Sequence, residues 1–147
     1  MTLQEFDRNC IISDFVATAP RHRLVVVGGC AIVPGLPALD VGLSVARYIR
    51  GRRFDDLKLQ VREYLDTLFA ENITTDSVYG KYICLSNIGI LFEPELGLNV
   101  TDIVASLSRN ILVILPVTGV VDSRYVYFLN ASSRHRIDLG RLNYVLV

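Results

Sequence analysis

The run Leu24-Val25-Val26-Val27, closed by Gly28-Gly29, constrains this chain more than any other feature. Four apolar residues, most of them β-branched, read as a strand buried on both faces, because neither alternate set is polar. A strand that ends in glycines is how a phosphate-binding loop begins. That loop would continue G-x-x-x-x-G-K-[ST] into a helix. Here Cys30-Ala31-Ile32-Val33-Pro34-Gly35-Leu36-Pro37 follows instead. No lysine is present to pair the β- and γ-phosphates, and no Ser or Thr to hold magnesium. Pro34, Gly35 and Pro37 argue against a helix in this gap, so a loop is expected before a short strand at 39–42.

The remaining chain alternates helical and strand patterns. An amphipathic helix is expected over 3–17, stopped by Pro20. A short helix over 44–51 is followed by a longer one over 54–72, with Leu57, Val61, Leu65, Leu68 and Phe69 on one face. Thr74-Thr75-Asp76 breaks that pattern. A buried strand over 79–85 ends at Ser86-Asn87, and Glu93-Pro94-Glu95 makes a turn. Thr101 or Asn99 caps a helix running to about Ser108. Strands follow at 111–117, 125–129 and 143–147, the last two joined by the polar stretch 130–136. This alternation predicts an α/β fold: a three-layer, P-loop NTPase-like domain with a mostly parallel central sheet, shortened around the missing P-loop helix. The whole chain, 1–147, is expected to form that one domain.

Composition sets the function classes. At 147 residues and 51% hydrophobic, the chain has enough apolar material for a core. Its longest apolar runs have strand length, and residues 1–8 lack a basic flank followed by an apolar segment, so neither a membrane span nor a leader is expected. Fifteen basic residues balance fifteen acidic ones, which argues against strong nonspecific nucleic-acid binding. Only Lys58 and Lys81 are lysines; the other cations are arginines, a skew that reads as GC-rich codon usage or as a preference for buried or interfacial ion pairs. Cys10, Cys30 and Cys84 have no metal-ligand spacing. Cys30 and Cys84 read as small buried hydrophobes of a reducing compartment, so a cytoplasmic location is expected.

The run Tyr82-Ile83-Cys84-Leu85-Ser86-Asn87-Ile88-Gly89-Ile90-Leu91-Phe92-Glu93-Pro94-Glu95-Leu96-Gly97-Leu98-Asn99, and its continuation from Ala105 through Leu107-Ser108-Arg109-Asn110 to Ile114, have a recognisable cadence. They resemble the small P-loop proteins called BrxF of type 3 bacteriophage-exclusion (BREX) systems. In that family a Walker B strand ends in Asp-Asn, then come an I-x-L-F-[DE]-P-x-L turn and L-S-R-N before a strand. Asp40-Val41-Gly42-Leu43-Ser44 with Arg47 is similar to the family's N-[VL]-x-L-S-x-x-[LY] segment, and Arg124-Tyr125-Val126-Tyr127 with His135-Arg136 is similar in layout. The resemblance implies membership of an antiphage defence system. Both nucleotide motifs depart from the family: the Walker A loop is absent, and Ser86 stands where the Walker B aspartate would be. A hydroxyl cannot supply the charge that holds magnesium. The expectation is therefore a domain kept for its shape, with no catalytic residue, no cofactor and no metal.

The positions that would remain of a nucleotide site are Gly28, Gly29, Ser86 and Asn87. Arg109 stands where related NTPases can carry an arginine finger acting on a neighbouring subunit; a cation on a helix C-terminus is the bland alternative. Arg47, Arg50, Arg52 and Arg53, with Tyr48 and Phe54 interleaved, form the densest basic cluster, partly cancelled by Asp55 and Asp56. They read as a solvated helix end or as a phosphate-contacting patch. His22 and His135 have no neighbours at metal-ligand spacing. Tyr125, Tyr127, Phe128 and Tyr144 pave either a core or an interface. The leading expectation is a non-catalytic subunit acting by self-association or by binding another defence component, through 93–99 and 47–54. The alternatives are a non-hydrolysing nucleotide sensor and a small nucleic-acid-binding module.

Overall fold

Leu24, Val25, Val26 and Val27 are all buried, which places their strand, β1 (Leu24–Gly28), in the middle of a sheet covered on both faces. The computed structural model describes residues 3–53, 57–128 and 135–147. The other parallel strands are β2 (Leu39–Asp40), β4 (Gly80–Ser86), β5 (Leu112–Val117) and β8 (Tyr144–Leu146), in the spatial order β2-β4-β5-β1-β8. β3 (Thr74–Asp76) runs antiparallel along the first half of β4. β6 (Tyr125–Tyr127) and β7 (Arg136–Asp138) form a separate antiparallel pair. The molecule is thus a three-layer α/β fold of P-loop-like plan, with one strand, β5, between the glycine-ended β1 and the Ser86-ended β4.

The two faces are covered unequally. Leu24, Val26, Ile83, Leu85, Val113 and Leu115 point to one side, where α2 (Val41–Ile49), α3 (Leu57–Glu71) and α4 (Val100–Asn110) bury Val45, Val61, Leu65 and Val104 against them. Val25, Val27, Tyr82, Cys84, Leu112 and Ile114 point to the other. Among the described residues that face is covered chiefly by α1 (Leu3–Ala17), through Ile12, Phe15 and Val16, and by the loop after β1, through Val33 and Leu36. No helix follows β1; the loop itself lies over the sheet. Phe6 and Ile11 on α1 stay exposed.

Several boundaries moved for local reasons. The helix expected over 44–51 begins at Val41, because the Asp40 carboxylate accepts the Leu43 N–H (2.9 Å) and caps it. The expected strand at 39–42 accordingly shrinks to Leu39–Asp40. Asn99, not Thr101, caps α4, accepting from Asp102 N–H at 3.1 Å. The sequence reading missed β3 and β7. The first has only polar side chains, and the second holds one buried residue, Ile137, so cross-strand pairing and not pattern defines them. The turn at 93–95 falls at the start of a short 3₁₀ turn, Pro94–Leu96, and a second one, Gly89–Phe92, precedes it. Positions 54–56 of the expected long helix, and Leu129 with 130–134 of the tail, lie outside the described residues.

At the amino ends of the strands, Asn143 ties β8 to the entry of β1. Its Oδ1 accepts from both the backbone N–H and Nδ1 of the buried His22, each at 3.3 Å. Cys84 is buried and its thiol is pushed up to about 11, chiefly by that burial, which makes it unreactive. Cys30 is half-buried, while Cys10 is exposed. Among the described residues no helix is long and apolar enough to cross a membrane.

Candidate functional site: a cleft at the carboxyl ends of the strands

The chain leaves β1 toward the α1 face and leaves β4 toward the opposite face. Such a divergence opens a crevice outside the carboxyl ends of the strands, where open α/β sheets hold their ligands. Pro116 widens it. Within β5, Leu112 and Ile114 pair with β4, while Val113 and Val117 bond to the β1 side. Pro116 is next in the β4-facing series and has no N–H to donate, and the β4–β5 ladder stops at Cys84 opposite Ile114. The strand ends flank a cleft of about 600 Å³, lined by Ile32, Asp40, Ser86, Asn87, Thr118 and Phe128 among others.

The polar groups of this cleft are built from two strand ends. Asp40, at the end of β2, accepts from Leu43 N–H and from Asn87 Nδ2 (3.0 Å) through the same oxygen. These hydrogen bonds, the helix N–H first, hold its carboxyl below the ordinary aspartate value of 3.8. Asn87, at the end of β4, is turned into the left-handed region (φ +55°), which asparagine tolerates better than most residues. It then lies so close to α2 that an added Cβ at Gly42 would collide with its side chain and carbonyl. Ser86 Oγ donates to Leu39 C=O at 3.2 Å. Among the described residues no Lys, Arg or His lines the cleft.

Gly28 and Gly29 open elsewhere, onto a depression shared with Arg8, Ile11 and Val147. The Gly28 N–H donates to Val147 C=O (3.0 Å) and the Cys30 N–H to Val117 C=O (3.1 Å). Gly29 makes the turn between them at φ +74°. Two of the three successive N–H groups are therefore held by the sheet, and no helix N-terminus stands behind them. The four positions proposed from sequence thus fall into two groups, with only Ala31 and Ile32 of the turn reaching the Ser86–Asn87 side.

The arginines are dispersed. Arg109 is exposed on the last turn of α4, at the amino edge of the sheet and away from the cleft. Arg52 stacks on the Tyr48 ring (4.0 Å) and donates to the Tyr48 carbonyl (2.7 Å), and Tyr48 stacks on Tyr64 at 4.1 Å. Arg47 and Arg50 are exposed at the end of α2. Tyr127 is buried and donates to Asp122 at 3.0 Å, while Phe128 packs on Phe92 at 5.0 Å. His135 stacks on Phe92 at 5.4 Å, far in the fold from His22 at the amino ends. Among the described residues no three His, Cys, Asp or Glu gather as metal ligands.

Sequence reasoning overlooked Asp40, Thr118 and Phe128 as cleft residues. Asp40 was legible as an acidic residue directly before a helix; the other two meet the cleft only through the order of the strands. Comparison with known protein families, curated proteins and solved structures returns no match. Fold and cleft together define an α/β domain of P-loop-like plan whose glycine turn and Ser86–Asn87 face different depressions.

Proposed function

We propose that this chain is a non-catalytic, P-loop-like structural or regulatory subunit of a prokaryotic antiphage defence system, acting by self-association or by binding another component of it. The defence context rests on the resemblance of 82–99 and 105–114 to the BrxF family. The reading of an inert site rests on one observation above others: two of the three successive amides at the glycine turn, those of Gly28 and Cys30, are bonded to Val147 and Val117 within the sheet. Ser86 and Asn87 support it, since their side chains hold β2 and α2 in place. Exposed Phe6, Ile11 and Ile32 are apolar surface of the kind that association covers.

Light scattering coupled to sizing should give a mass above that of one chain, and a phosphate-release assay with ATP and magnesium should stay at background. A strict monomer that releases phosphate at a steady, enzyme-proportional rate would refute the proposal. A second reading, a nucleotide sensor without turnover, draws on the 600 Å³ cleft itself. The ionised Asp40 and a lining that holds no basic side chain among the described residues weigh against a triphosphate there.

A further inference from the structure

The sheet is finished differently at its two sides. On one side β4 is bordered by β3, which offers only Thr74, Thr75 and Asp76, and by the short β2, which follows Pro37 and carries Asp40. Short length, charge and proline are what keep an open strand edge from pairing with another chain. On the other side the order ends at β8, whose residues Tyr144, Val145 and Leu146 include neither a charge nor a proline. Val147 N–H donates to Val26 C=O (2.9 Å), and Gly28 N–H donates to Val147 C=O (3.0 Å). Strand groups alternate in direction, so Val145, opposite Val25, also bonds inward, and the N–H and C=O of Tyr144 and Leu146 point outward. Among the described residues nothing pairs with that outer edge. Leu146 is 49% exposed beside it.

We propose that β8 pairs antiparallel with β8 of a second copy of this chain, about a two-fold axis at Val145. This rests on the self-association reading above and deepens it by naming the surface. Tyr144 and Leu146 flank Val145 symmetrically. An antiparallel copy centred there sets Tyr144 opposite Leu146 of the second copy, and every outward N–H meets an outward C=O with none left over. The side chains suit that register, because the cross-strand neighbours become an aromatic–aliphatic pair and a valine–valine pair. Arg141 lies outside the paired residues, so the arginines of the two copies stand at opposite ends of the seam and do not repel across it. The strand is thus complementary to itself, which is the condition for an isologous interface.

Hydrogen exchange of the unaltered chain at about 1 and about 100 µM, with light scattering alongside, tests this. As the dimer forms, the outward Leu146 amide should exchange roughly tenfold more slowly at the higher concentration. A residue on the axis faces its own copy across about 4.5 Å between Cα atoms, within disulfide reach. With the exposed Cys10 removed by Cys10→Ser, Val145→Cys should therefore cross-link to a dimer when diamide is added. Leu146→Cys in the same background faces Tyr144 and should cross-link roughly fivefold less. The exchange measurement stands even where a cysteine variant fails to fold. A dimer whose Leu146 amide exchanges equally fast at both concentrations, or whose two cysteine variants cross-link alike, overturns this pairing and leaves the self-association reading standing. A chain that stays monomeric at about 100 µM overturns both the pairing and self-association.

Discussion

Asp40 uses one carboxylate oxygen to cap α2 and to hold Asn87 over the cleft. Folding lowers its pKa below 3.8, so the ionised form stabilises the fold above that value, and the contribution is lost as pH falls through the lowered folded value. Asparagine caps a helix as well as aspartate does but does not titrate. Asp40→Asn should therefore narrow the gap between urea midpoints measured at pH 7 and about pH 3. Asp122 and Asp138, also lowered by hydrogen bonds, keep the rest of that acid sensitivity. A gap as wide as in the parent would contradict this role. At Gly42 two effects compete. Gly→Ala in a helix ordinarily gains up to about 1 kcal/mol, whereas the new Cβ would meet Asn87. Overpacking of that kind costs about 1–3 kcal/mol, so Gly42→Ala should destabilise in urea unfolding; a gain in stability would show that Asn87 moves aside freely.

The elements show what the sequence could and could not reveal. The helix over 3–17 and the strand over 24–28 fell where periodicity and punctuation put them, because Pro20 and the glycines are local signals. Val41 and Gly42 read as strand because a β-branched residue and glycine carry little helical signal, and only the Asp40 cap reverses that. β3 and β7 exist through their partners, β4 and β6, and carry no pattern of their own. The candidate site was legible only in part. Ser86-Asn87 marks the end of β4, but that Gly28 and Gly29 face a different depression follows from the loop lying over the α1 face. Pro116 acts at this scale too. Pro116→Ala would restore the donor that the β4–β5 ladder lacks, and the new amide at position 116 should be protected in hydrogen exchange. Exchange at the rate of an open amide would mean that something other than the proline keeps the strand ends apart.

Across the whole molecule, the two ends of the sheet carry different polar groups. The carboxyl end carries a cleft with Asp40 and, among the described residues, no basic side chain; the amino end carries Arg109 on the last turn of α4. Arg109 is exposed there, away from the cleft. The central claim is that a domain of this plan has kept the sheet of a nucleotide switch but not the grip on triphosphate. Isothermal titration of the chain with ATP and magnesium at millimolar concentration tests it most directly. The expected result is no saturable heat beyond dilution; a one-site isotherm that saturates would contradict it.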